Sequence, residues 1–571
     1  MPLGAIVEIL NLAGHGFSLY TKRKEAHRNK IDRMLDEARA ASGPEALPLL
    51  AAVCQECTRR VEKHPQDAHA LHRWGVALWW RAAKASRSEA DHIYEQAEQK
   101  FAASLAIAPD DAACCSDRVA ALVYRAALHS GGKARRLRLQ ICDLCRKRVG
   151  IYWSGPYDAR TLRAWGSALW WLAASETGAE AKRLYKEADE KFMRAIALAP
   201  GETDAAVDQA DVLVRAAALY RGDERREMLQ RACRQCEQLA GKGAGGTRML
   251  LIWSCALCWL GTTSQGAEAE RFFAEAEKRA ARALRIAPET EGALVEKLRA
   301  LTYRALLQRG ETRRNLLTQV CQECARFDKA HPRDADLVLR WGTALAWLAS
   351  MANRPEADRL FEEAAGKFEA GLSLKPADES LSTSLASALA YPARLDGGET
   401  ARQAVLRAGE LLEAVLRNNP ASCEALTRWA GFLSYRARVI PGEETARMAA
   451  DGVRRFEAAA QDAPAPDAIL RGWATALWTL ARCVDGQESA RLLREAKAKL
   501  LESEARVPRS AAYSLACFCA QTGETEECQR WLRVSGEPGR DFSPDLLRAE
   551  EDFAPVRECE WFREILAGQA G

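Results

Sequence analysis

A short tryptophan-led segment recurs along this 571-residue chain at nearly constant spacing, and that spacing restricts the possible folds more than any other feature. It reads Trp74-Gly75-Val76-Ala77-Leu78, Trp165-Gly166-Ser167-Ala168-Leu169, Trp253-Ser254-Cys255-Ala256-Leu257 and Trp341-Gly342-Thr343-Ala344-Leu345, with Trp429 next. The separations are 91, 88, 88 and 88 residues. Halving the step predicts weaker copies midway. They are present as Val119-Ala120-Ala121-Leu122, Asp211-Val212-Leu213, Arg299-Ala300-Leu301 and Ser387-Ala388-Leu389. One further step from Trp429 reaches Trp473-Ala474-Thr475-Ala476-Leu477. The unit is therefore about 44 residues, with strong and weak copies alternating.

Each unit reads as two helices. The first carries the tryptophan segment and ends near turn-forming residues such as Ser175–Gly178 or Gly397-Gly398. The second carries apolar residues at helical spacing and stops at a proline, as in Phe101-x7-Pro109, Phe192-x7-Pro200 and Phe368-x7-Pro376. Proline cannot continue a helix and pushes the preceding residue out of the α region. Two helices of about 18–20 residues each are expected per unit. Alanine, leucine, glutamate and arginine dominate, all strong helix formers. A single hairpin cannot bury its apolar stripes, but stacked neighbours can. The expected fold is an all-α solenoid, a superhelix of about twelve helix-turn-helix repeats.

The pattern resembles the tetratricopeptide repeat (TPR) family. Ala97-x3-Phe101 and Ala188-x3-Phe192 match the second-helix signature, a closing proline follows, and Trp-Gly stands in place of Leu-Gly. The departure is length, which implies longer helices, as in the elongated repeats of large bacterial proteins. The resemblance covers about residues 24–534, with residues 24–510 as the main array. Residues 511–571, with Tyr513-Ser514-Leu515-Ala516-Cys517-Phe518-Cys519 and Trp561-Phe562, resemble the short terminal repeat and end-of-group cap that closes such arrays. A cap is required because the last repeat has one face without a neighbour.

Several familiar chemistries are disfavoured. Eighteen cysteines include Cys54-x2-Cys57, Cys142-x2-Cys145, Cys233-x2-Cys236 and Cys321-x2-Cys324. These pairs fall 88, 91 and 88 residues apart, one per two units, and Cys57 and Cys324 occupy the slot of the second-helix phenylalanine. Successive pairs then lie roughly 20 Å apart at about 10 Å per packed helix layer, too far to share a zinc ion. Core thiols, neither bridged nor metallated, are expected in a reducing, cytoplasmic setting. No HExxH, no histidine cluster and no phosphate loop occurs, and Gly241–Gly246 reads as a linker between units. No enzyme and no cofactor are expected. No apolar run is long enough to span a membrane.

The chain carries 82 basic and 78 acidic residues, a formal net charge of +4, so composition gives no reason to expect a polyanion. Arginine outnumbers lysine roughly three to one, which suits carboxylate or phosphate recognition as well as codon bias does. Just after each Ala-Leu stands a ladder of bulky residues: Trp80, Tyr124, Trp171, Trp259, Tyr303, Trp347, Tyr391 and Tyr435, with Arg125, Arg215, Arg304 and Arg436 beside it. The resemblance implies that first helices line a concave groove and that these positions face it. Aromatic and arginine anchors suit capture of a peptide or helical segment of a protein partner. Filling extra core is the competing explanation. The carboxylate clamp of chaperone-tail-binding relatives is not expected, because the comparable positions are His72 and Val76, Arg163 and Ser167, and Leu339 and Thr343, without asparagine.

Residues 1–23 do not follow the repeat. Read as a helix, they leave only a narrow polar stripe through Glu8, Asn11, His15 and Ser18. Such a helix caps the first repeat, docks into a partner or lies on an anionic membrane surface. The leading expectation is a scaffold or adaptor that binds a partner segment along the groove. The alternative is a nucleic-acid-binding repeat protein using arginine and aromatic side chains, against which stands the mixed charge of each unit, as in Arg225-Arg226-Glu227.

Overall fold

The computed structural model describes the chain except residues 1–29, 42–44, 148–154, 245, 289, 329–333, 391–397, 461–466, 537–546, 549 and 569–571. The expected N-terminal helix of residues 1–23 lies outside the described residues, as does Tyr391. Among the described residues every regular element is a helix and no strand occurs. The chain forms two compact units, Met1–Gly245 and Gly246–Gly571. Among the described residues consecutive helices pair into antiparallel hairpins, five in the first unit and seven in the second.

Local chemistry sets the hairpin ends. Several first helices begin at side-chain caps: Asp67 accepts from Ala70 N at 2.9 Å, Asp111 from Cys114 N at 3.0 Å and Ser422 from Ala425 N at 3.0 Å. Each satisfies an amide donor that the first turn would otherwise leave unpaired. At the turn into the second helix the backbone enters the left-handed region, with φ of +60° at Gly178, +56° at Gly222, +54° at Gly266 and +50° at Gly310. Only glycine adopts that conformation without a steric penalty. The equal-helix expectation needs correction. First helices run 17 residues in Ala68–Lys84 and 15 in Ala335–Ala349, whereas second helices reach 21 in Arg87–Ile107 and Arg354–Leu374. The additional length went mostly into the second helix, whose acidic and basic outer face tolerates extension into solvent.

Within strong hairpins two neighbouring residues on one helix meet two neighbours on the other. A Cβ on Gly166 would lie 2.9 Å from the Phe192 ring, and one on Gly342 would lie 2.6 Å from Phe368. Beside each glycine, the tryptophan ring carries an ammonium group from the residue near that phenylalanine: Lys100 sits 3.7 Å from the Trp74 centroid, Lys191 4.2 Å from Trp165 and Lys367 3.3 Å from Trp341. A cation over an indole face is worth about 0.5–2 kcal/mol. The hairpin starting at Trp253 obeys the same rule with different residues. Its glycine position is Ser254 and its phenylalanine position is Ala280, so the smaller ring-free side chain leaves room for a hydroxymethyl group. Ser254 Oγ donates to Ala276 O at 2.9 Å, and Arg279 covers the indole at 4.0 Å.

The C-terminal part of the second unit ends in the shorter hairpin Ala512–Thr522 and Thr525–Gly536, a 3-10 turn Glu551–Val556 and the helix Glu560–Gly568. Phe553, Phe562 and Leu566 pack on Cys519, Cys528 and Leu532. Arg438, on the first helix Cys423–Val439, reaches this segment and pairs with Glu550 at 2.9 Å and Asp552 at 2.8 Å.

Candidate functional site

The repeat places one residue grid on the first-helix faces. In the second unit, the helices Thr247–Thr262, Glu291–Leu307 and Ala335–Ala349 align Ile252 with Glu296 and Arg340, Cys255 with Arg299 and Thr343, and Trp259 with Tyr303 and Trp347. Spacings of three and four along each helix put each trio on one face. The ladder residues differ in exposure. Trp347 is 41% exposed and Trp171 42%, whereas Trp80, Tyr124, Trp259, Tyr303 and Tyr435 are half-buried. The residues one place earlier, Trp79 and Trp170, are buried. Core filling therefore accounts for the first of each pair, and the second reaches the surface.

The half-buried rings lean on the preceding hairpin. Tyr303 stacks on Phe273 with centroids 5.2 Å apart, Tyr124 lies 5.9 Å from Trp79, and the Arg39 guanidinium lies 6.0 Å from the Trp80 ring. Trp171 receives Arg138 at 4.9 Å. These side chains thus join hairpins as well as face solvent.

The ladder arginines are engaged within the fold. Arg125 is buried, with Nε 2.8 Å from Asp91 and a second contact to Glu95 at 3.2 Å. Arg304 pairs with Glu270 at 3.0 Å and Glu277 at 2.6 Å. Arg215 is exposed, paired with Asp211 at 3.0 Å, and lies 5.2 Å from the Trp170 ring. An acidic slot on strong second helices does this repeatedly: Glu98 accepts from Arg118 and Gln140, and Asp189 accepts from Gln209 and Arg231. Arg125 and Arg304 are staples between hairpins, and their donors are committed to those carboxylates.

A second charged row on the first helices was not singled out from the sequence. In the first unit it is internally neutralised. Arg73 meets Asp32 at 2.7 Å, His72 Nε2 meets Asp117 at 2.9 Å, and Arg163 bonds Asp208 and Asp204, each at 2.7 Å. The two carboxylates raise the Arg163 pKa against the opposing effect of burial. In the second unit the row is unbalanced. Arg299 pairs with Glu296, but Arg340 has no carboxylate partner among the described residues, and its buried Nε has no hydrogen-bond partner. Burial, then the neighbouring Arg299 charge, lowers the Arg340 pKa. The 44-residue register could have found this pair, since Glu296 and Arg340 share one repeat position.

The second cysteine of each of these four CxxC pairs, Cys57, Cys145, Cys236 and Cys324, is fully buried, as is Cys258 of a further pair, Cys255-x2-Cys258. Burial pushes Cys57 up to about 12 and Cys142 up to about 11, so both stay protonated near neutral pH. The structure also gathers His72, Asp111 and Cys114, whose ligand atoms lie within 4.8 Å of one another. Sequence reading missed this group because the residues come from successive first helices. Asp111 caps Cys114 N there, and the Cys114 thiol, pushed up to about 12 by burial, donates to Phe101 O at 3.7 Å. These bonds serve the helix start, and a protonated thiol is a poor metal ligand.

Residues 311–408 match the family described as plant specific mitochondrial import receptor subunit TOM20. No curated protein sequence gives a match. Among solved structures, a human IFIT1 dimer with PPP-AAAA is 13% identical over 89% of this chain and 99% of that one, with a TM-score of 0.40. Yeast Tom70 is 14% identical over 87% and 99% of the two chains, with a TM-score of 0.36. The Cut9–Hcn1 hetero-tetramer of APC/C is 13% identical over 92% and 97%, with a TM-score of 0.34. The matched family is mitochondrial, so the cytoplasmic and bacterial-type expectations gain no support from it. No helix among the described residues is long and apolar enough to cross a membrane. The fold is an all-α solenoid of TPR-like helical hairpins.

Proposed function

We propose that this chain is a non-enzymatic scaffold or receptor that holds a segment of a protein partner against the first-helix face of its Gly246–Gly571 unit. The observation that carries this reading is the row Trp259, Tyr303 and Trp347, repeated every 44 residues and ending on an indole that is 41% exposed. Large amphipathic aromatics presented on rigid helices are the usual anchors of protein interfaces. The partial match to a family named as an import receptor agrees with a protein-binding role. Commitment of Arg125 and Arg304 to carboxylates weighs against the nucleic-acid alternative, which needs free cations along a continuous stripe.

The test is affinity capture with quantitative mass spectrometry, comparing wild type with Trp347→Ala. Because Trp347 is exposed, the variant should keep its helicity by circular dichroism. Loss of an aromatic anchor should weaken capture of the specific partner by about 2 kcal/mol or more. Equal recovery of every captured protein by both forms would sink the reading. Salt-sensitive binding of single-stranded RNA, abolished by the same substitution, would favour the alternative instead.

A further inference from the structure

On the described first-helix faces, Arg340 combines a buried Nε that has no hydrogen-bond partner with the absence of any carboxylate at ion-pair distance among the described residues. Its repeat neighbours set the local chemistry. Glu296 and Arg299 neutralise one another. Thr343 turns its hydroxyl back to Leu339 O at 2.7 Å, so it offers Arg340 no anion. Asp336, one turn earlier, is spent on Lys375 at 3.1 Å. What remains is a single surplus positive charge on a part-buried residue, with Trp347 two turns further along the same helix and Tyr303 at the matching position of the preceding first helix.

We propose that Arg340, beside the Glu296–Arg299 pair, is an anion-recognition point that seats the side-chain carboxylate of an acidic residue in a bound peptide segment. The inference rests on the protein-binding reading above and specifies the partner's chemistry. One surplus charge matches a monoanion. A phosphate group carries about −1.5 to −2 at neutral pH, more than the one surplus charge balances. The planar guanidinium fork fits a carboxylate with two parallel hydrogen bonds. An adjacent apolar residue of the same segment would lie against Trp347. The site differs from the terminal-carboxylate clamp of related repeats, since it uses the position after Leu339 rather than Leu339 and Thr343.

Leaving a buried charge unpaired is unfavourable for folding. A binding role therefore predicts that removing the charge harms recognition but not stability. The experiment pans a displayed random-peptide library on the full chain, then measures affinities by fluorescence anisotropy for wild type, Arg340→Met and Arg340→Lys. Selected peptides should be enriched in Asp or Glu beside an apolar residue. Arg340→Met should weaken the best binder tenfold or more, with Arg340→Lys intermediate. Changing the peptide's acid to its amide should cost wild type a similar factor and cost Arg340→Met little. The Tm of Arg340→Met should match or exceed that of wild type.

A lowered Tm would mark Arg340 as structural and overturn the proposal. Tighter binding of a phosphoserine peptide than of its glutamate counterpart would overturn the carboxylate assignment. Binders that depend on Trp347 but ignore Arg340→Met would defeat this site while leaving the protein-binding reading intact. Failure to select any peptide dependent on either residue would defeat both.

Discussion

A Cβ added to Gly75 would lie 2.6 Å from the ring of Phe101, a contact that no packed pair of carbons sustains. The first residue is fixed by the second: two helices cross here at a distance that only glycine permits. Phe101 is fully buried, so its ring cannot step aside.

Gly75→Ala should therefore destabilise its hairpin despite alanine's better helix propensity. Overpacking costs about 1–3 kcal/mol, and the propensity gain of about 1 kcal/mol offsets only part of it. Gly366, within the helix Arg354–Leu374, is the control, since nothing lies within 4 Å of a Cβ there. Gly366→Ala should stabilise by about 0.5–1 kcal/mol. Urea unfolding of the two variants should shift in opposite directions.

Arg438→Ala should loosen the C-terminal cap. Its removal takes the guanidinium away from two buried carboxylates, Glu550 and Asp552, which are 3% and 10% exposed. Breaking such a buried pair costs about 3–5 kcal/mol. Amide hydrogen exchange should accelerate over residues 551–556 and 560–568, while the Met1–Gly245 unit keeps wild-type protection.

Asp91 gives the first unit an acid-sensitive joint. Its carboxylate accepts from Arg125 at 2.8 Å, His129 at 2.8 Å and Lys133 at 2.7 Å, and these bonds hold its pKa well below the usual range despite burial. A depressed folded pKa means the stabilisation is complete above the unfolded value of about 3.9 and is lost as pH falls through the lower folded value. Asp91→Asn should cost about 2 kcal/mol at neutral pH. The difference from wild type should shrink progressively below about pH 4, as read by thermal unfolding across pH.

Alkylation should separate the cysteines by position. Cys483 is exposed and should react with iodoacetamide in the native protein. Cys57, Cys145, Cys236 and Cys324 are sealed in the core, and Cys57 is further protected by a pKa of about 12. They should label only after denaturation, as mass spectrometry of tryptic peptides would show.

Much of this fold was legible because the solenoid repeats its instructions. Trp-Gly, the second-helix phenylalanine and the closing proline each report a contact made inside one hairpin, so a single chain displays them several times over. The size exchange between Ser254 and Ala280 is visible in the same register. The candidate site was less legible because its decisive relationships run between hairpins. Nothing in Arg125 or Arg304 alone says that Asp91 and Glu277 will occupy them. Equally, Arg340 is ordinary in sequence and becomes unusual only when Glu296 is seen to be taken by Arg299. Which half of each aromatic pair reaches solvent also depended on helix phase, which a period of 44 fixes only to within part of a turn.

The staples from Glu98, Asp189 and Glu277 all point forward, from a strong second helix into the weak hairpin behind it. A weak hairpin is thus incomplete by itself: part of its polar complement is encoded upstream. Duplication or loss of a single 44-residue unit would separate an acid from its donor, whereas a change of about 88 residues carries both together. The boundary at Gly245–Gly246 falls between two such couples. Over Ala68–Asp328, where these staples recur, the repeating block of the array is the couple rather than the single hairpin.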